Sequence, residues 1–152
     1  MATPAAMVEE ISKLSVEQLR QVKEQVDGEV SVLQDSLNNI RTAANRFEMA
    51  SKSLNMLSTQ PAGKKMLVPL TASLYASGTL ANTDHVLVDV GTGYFIEKSL
   101  PEGKDYCERK IKFLKENHQK LVEVASGKQN AAEQISMVLQ AKMRQPSSPQ
   151  RS

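Results

Sequence analysis

With 152 residues, 40% of them apolar but only 4% aromatic and none of them tryptophan, the chain is sized for one domain or one elongated unit and is short of the bulky side chains of a large globular core. Its 19 basic and 17 acidic residues interleave to a net charge of +2, which excludes the basic stripe that nucleic acid or an anionic membrane surface would require. A lone cysteine, Cys107, cannot close an intramolecular disulfide and fits a reducing compartment.

Residues 1–15 read as an N-terminal tail. Met1 to Glu10 carry two glutamates and no Lys or Arg, the wrong charge for a secretory signal or transit peptide. No stretch approaches the ~18 consecutive apolar residues of a membrane span. The expectation is a soluble cytoplasmic protein, with a nuclear presence also open.

Ser15 and Gln18 have capping-box spacing, which starts a helix at Val16 and carries it over 16–58. Its apolar seam runs through Leu19, Val22, Val26, Val30, Leu33, Leu37, Ile40, Ala44, Phe47, Ser51 and Leu54. Consecutive four-residue steps between Val22 and Val30, and at Leu33 to Leu37, depart from a strict 3.5 repeat and locally unwind a supercoil.

Four of the seven glycines, Gly63, Gly78, Gly91 and Gly93, lie in 59–100 together with Pro61 and Pro69, and there the period becomes that of strands. Leu67-Val68-Pro69-Leu70 and Leu74-Tyr75 predict a hairpin turning near Ala72-Ser73, with Gly78 as a bulge or bend and Pro69 on a non-bonding side. His85 to Val90 and Tyr94 to Lys98 flank Gly91-Thr92-Gly93, read as a three-residue loop pairing Val90 with Tyr94 and Val88 with Ile96. One face, Val86, Val88, Val90, Tyr94 and Ile96, is apolar, while Asp89 and Glu97 point the other way.

Ser99 and Glu102 repeat the capping box with Pro101 in the first turn, predicting a second helix over 101–143. Residues 107, 111, 114, 118, 121, 125, 128, 132, 135 and 139 alternate steps of four and three, a coiled-coil seam apolar at all but His118 and Lys128, with the helix-weakening Gly127 beside it. At about 1.5 Å per residue each helix is roughly 60 Å long, too long for a compact domain of this size. Equal arms predict an antiparallel coiled-coil hairpin with Phe47 near Lys112, Leu33 near Ser126 and Leu19 near Gln140. The Pro/Ser-rich segment 144–152 is expected to be disordered.

Two-stranded hairpins are marginal alone in water, so Leu67, Val68, Leu70, Val86, Val88, Val90, Tyr94 and Ile96 are the candidate subunit-assembly residues, with 59–100 as the oligomerisation segment. Catalytic readings fail. Gly91-Thr92-Gly93 lacks a third glycine and leads into a strand, not a helix N-terminus. Asp84, His85 and Asp89 have no Cys or second His nearby to complete a metal set. Cys107 and His118 are about 16 Å apart along a helix and both sit on the seam. No catalytic residue, cofactor or metal site is expected, and the chain is not read as an enzyme.

Helix, two hairpins, helix, with Leu67-Val68-Pro69-Leu70 in the first strand and Val88-Asp89-Val90-Gly91-Thr92-Gly93-Tyr94 across the second turn, resembles an α-type subunit of the prefoldin family over about residues 11 to 143. The resemblance implies a mainly α fold with a small β block, and a heterohexamer in which this chain joins one further α-type and four β-type subunits. In that assembly the hairpins form a double β-barrel from which six coiled coils hang. It also implies capture of unfolded actin and tubulin and delivery to the cytosolic chaperonin without nucleotide. A coiled coil frays at its free end, and there Val16, Leu19, Val22, Met137, Val138, Leu139 and Met143 are the candidate client-binding residues, methionine being suited to repacking against varied partners. The alternative is a coiled-coil scaffold or regulatory adaptor that binds one specific partner.

Overall fold

The computed structural model describes residues 4–145. The reading of 144–152 as disordered therefore lies, from 146 onward, outside the described residues, as do residues 1–3 of the expected tail. In chain order the elements are α1 (Pro4–Ser12), α2 (Val16–Ser58), β1 (Lys65–Pro69), β2 (Tyr75–Thr79), β3 (His85–Gly91), β4 (Tyr94–Ser99) and α3 (Leu100–Arg144).

The N-terminal stretch is a helix where a tail was expected. A proline at the first helical position forfeits no intrahelical hydrogen bond, and Ala5, Ala6, Met7, Glu9 and Glu10 are strong helix formers. The helix closes with three-residue backbone bonds, Lys13 N–H to the Glu10 carbonyl and Leu14 N–H to the Ile11 carbonyl, both 3.2 Å.

Both long helices open on reciprocal capping boxes. Ser15 N–H donates to Gln18 Oε1 at 2.9 Å and Gln18 N–H to Ser15 Oγ at 3.2 Å. Ser99 N–H donates to Glu102 Oε2 at 3.0 Å and Glu102 N–H to Ser99 Oγ at 3.4 Å. None of the seam positions of either helix is exposed, so the alternating four- and three-residue steps mark the covered stripes of both.

The chain divides into two compact units, the described parts of Met1–Asn39 with Asn117–Ser152, and Ile40–Glu116. In the first, Leu19, Leu37, Ala132 and Ile135 are buried. Lys128 Nζ meets Glu29 Oε2 at 2.6 Å, and Lys142 Nζ donates to the Leu14 carbonyl, so α2 and α3 run antiparallel here. In the second, the Phe47 and Tyr106 rings meet edge-on with centroids 6.2 Å apart, and Lys115 pairs with Glu48 at 3.3 Å. Leu100, Gly103 and Cys107 are buried on α3, and Leu100 N–H donates to the Asp84 carbonyl at 3.0 Å, tying the helix start to the loop before β3.

The hairpins are two separate two-stranded antiparallel sheets, β1–β2 and β3–β4. In the first, Met66 lies opposite Gly78, Val68 opposite Ala76 and Pro69 opposite Tyr75. Gly78 is thus a regular strand residue, not the bulge or bend expected. It is small because a Cβ there would come within 3.1 Å of Val68 Cγ2. The turn from Leu70 to Leu74 is closed by Leu70 N–H to the Leu74 carbonyl at 2.8 Å, and Thr71 Oγ1 accepts from Leu74 N–H at 3.1 Å.

In the second hairpin Val88 lies opposite Ile96 as expected, but Tyr94 faces Gly91, not Val90. The ladder slips between Asp89 and Gly91, leaving Val90 as the extra residue of a bulge and Thr92-Gly93 as a two-residue turn. Backbone angles cause the slip: Gly91, Thr92 and Gly93 all have positive φ, 99°, 53° and 80°. Asp89 Oδ1 accepts from Gly91 N–H at 2.9 Å and holds the bend.

Candidate functional site

Strand alternation puts Met66, Val68, Ala76 and Gly78 on one face of the first hairpin and Leu67, Pro69, Tyr75 and Ser77 on the other. Leu67 and Val68, grouped as assembly residues, therefore serve opposite faces. Leu67 is 65% exposed, and Leu70, Leu74 and Tyr75 are also exposed. An apolar groove of about 320 Å³ runs between the end of α2 and this hairpin, lined by Met56, Leu57, Met66 and Leu80 among others.

In the second hairpin Val86 and Val88 are half-buried, whereas Val90, Tyr94 and Ile96 are exposed. The opposite face is not purely polar. Leu87 lies across from Glu97 and Phe95 across from Asp89, and they are 70% and 60% exposed. Leu87, Phe95, Met66, Leu74 and Tyr75 are apolar surface residues that the sequence reading missed. Their signal was present in Val86-Leu87-Val88 and Tyr94-Phe95-Ile96, unbroken apolar runs typical of a strand covered on both faces. Large exposed apolar side chains this dense mark an interaction surface.

The helical candidates divide by exposure. Leu19 is 0% exposed, so it completes the interior of the first unit and presents no surface, contrary to its assignment as a client contact. Val16, Val22, Val138 and Leu139 are half-buried. Met137 and Met143 are exposed. Alongside them, Met7, Ile11, Val22, Val26, Val124 and Ile135 contribute to an apolar groove of about 480 Å³.

Among the described residues no three His, Cys, Asp or Glu side chains converge as a metal site. Burial pushes the Cys107 thiol up, with the Glu108 carboxylate adding to the effect, so the sulfur is held protonated. The Lys128 ammonium, hydrogen-bonded to Glu29 and helped by Gln25, holds the Glu29 carboxyl below its ordinary range, which marks a structural ion pair. No described helix is long and apolar enough to cross a membrane.

The family pattern described as "Prefoldin subunit" matches residues 26–145. The chain is similar to "Prefoldin subunit 5" of Arabidopsis thaliana, 60% identical over 136 residues that cover 90% of each chain. It is also similar to "Prefoldin subunit 5" of Homo sapiens, 36% identical over 135 residues, 89% of this chain and 88% of the human one. In fold it resembles a chain from the "Cryo-EM structure of filamentous PFD from Methanocaldococcus jannaschii", with a TM-score of 0.67 at 20% identity, covering 77% of this chain and 97% of that one.

Proposed function

From the premise that this chain belongs to the prefoldin family of chaperone subunits, we propose that its hairpins assemble with those of one further α-type and four β-type subunits into a heterohexameric β-barrel. The helical unit that carries Met137 and Met143 holds exposed apolar segments of unfolded chains, actin and tubulin among them, and passes them to the cytosolic chaperonin without nucleotide. The reducing compartment that suits a lone cysteine is the cytoplasm, with access to the nucleus.

The observation that carries the reading is the presence of large exposed apolar side chains on both faces of two ribbons that belong to separate sheets. A free two-stranded ribbon is marginally stable, and its unpaired edges and exposed Leu67, Leu87, Tyr94 and Phe95 are relieved by strands and side chains from other chains. The family's work is chaperoning, which fits surfaces that offer apolar contact.

The test is native mass spectrometry of the full chain co-expressed with prefoldin β-type subunits and a second α-type subunit. The expected mass is that of a hexamer with a single copy of this chain, and the double variant L87S/F95S is expected to lose it. A stably folded, monodisperse monomer under the same conditions overturns the assembly. Aggregation of unfolded actin and tubulin unaffected by the intact hexamer overturns the client assignment.

A further inference from the structure

We propose that α1 is a resident, displaceable occupant of the apolar groove in the first unit, and that the groove's other ligand is an amphipathic helical segment of an unfolded chain with apolar side chains spaced four residues apart. The client half of this inference rests on the reading above that this unit holds unfolded chains. α1 supplies the template: Met7 and Ile11, four residues apart and so on one face of the helix, line the groove together with Val22 and Val26 of α2 and Val124 and Ile135 of α3.

Three observations make the occupant removable. A helix of nine residues is too short to be stable by itself in water, so α1 depends on what it touches. Its seat is open, since the groove of about 480 Å³ that Met7 and Ile11 line is not closed over, and Met7 is still 40% exposed. Among the described residues, what fastens it is one polar clasp, the Lys142 ammonium on the Leu14 carbonyl, placed just beyond the helix where a cation also meets the negative end of the α1 dipole. Displacing α1 exchanges one weak set of apolar contacts for an equivalent set from another chain, so α1 sets the threshold for binding without changing what the groove prefers.

The experiment uses the full-length chain in the assembly it forms, with variants M7S/I11S, K142M, and M7S/I11S carrying V124D in addition. The first probe is a fluorescein-labelled peptide of residues 1–14, read by anisotropy. M7S/I11S is expected to bind it about fivefold tighter than wild type, K142M to shift in the same direction by less, and V124D to remove the gain. Equal peptide affinity in wild type and M7S/I11S overturns the occupancy of the groove, and should M7S/I11S lose its helical circular dichroism, K142M decides the same question. The second probe is reduced insulin, followed by light scattering. Half-suppression of its aggregation at about threefold lower concentration of M7S/I11S supports the client half. Tighter peptide binding with unchanged suppression overturns that half, and absence of suppression by every form, wild type included, refutes the chaperone reading while the peptide measurement still decides the role of α1.

Discussion

Gly103 lies against Val86: a Cβ on residue 103 would stand 3.3 Å from Val86 Cγ2 and 3.4 Å from Leu54 Cδ1. The first turns of α3 thus approach β3 and the end of α2 through a position where only a hydrogen fits without adjustment. Enlarging it to Leu forces Val86 or Leu54 out of place, and G103L is expected to lower the stability of the second unit by about 1–3 kcal/mol. Urea denaturation followed by circular dichroism measures the shift.

Gly127 is the opposite case, with nothing within 4 Å of where a Cβ would be. G127A adds helix propensity to α3 at no steric cost. Stabilisation by about 1 kcal/mol is expected, read as a higher urea midpoint at unchanged slope.

Thr92 carries a β-branched side chain at φ 53°, in a two-residue turn that favours Asn before Gly. T92N relieves the strain and is expected to stabilise the β3–β4 hairpin by about 1 kcal/mol, visible as slower hydrogen exchange of the Val88 and Ile96 amides.

The Glu29 carboxyl is held low by Lys128, so its contribution to folding has a defined sign. Its folded value is below its unfolded value, so the stabilisation is fully present above the unfolded value and is lost as pH falls through the folded one. E29Q is expected to be less stable than wild type at neutral pH and low salt, with the two curves converging in acid and at high salt. Thermal melts across pH at two ionic strengths check this; a gap that widens on acidification contradicts it.

Leu19 and Met137 separate packing from surface. Leu19 is fully buried, and L19A is expected to cost about 2–5 kcal/mol of unfolding free energy, read from urea denaturation. Met137 is 64% exposed, and M137S should leave stability within about 0.5 kcal/mol while weakening suppression of client aggregation.

What the sequence makes legible is the part governed by short, repeated spacings. The two capping boxes need only residues three apart, and both form. The seams follow from steps of four and three, and their positions are covered. The β3–β4 register holds at Val88 and Ile96 and departs only at the turn, where Tyr94 meets Gly91 in place of Val90 because three successive positive φ values shorten the loop, a backbone property that Val90-Gly91-Thr92-Gly93 does not declare by residue type alone. α1 was missed because Pro4 reads equally as a breaker and as a first helical residue, and a nine-residue helix is decided by what it docks against. Among the site residues, Leu19, Val22 and Leu139 share the periodic seams, yet Leu19 is sealed from water while the other two are half-buried; periodicity identifies the covered stripe but not which member of it is sealed.

The separation of β1–β2 from β3–β4 also bears on valence. Two ribbons without a shared rung offer four open rails, and a neighbour that grips one leaves three still on offer. Saturation therefore requires a separate partner strand for each rail, whichever chain supplies it.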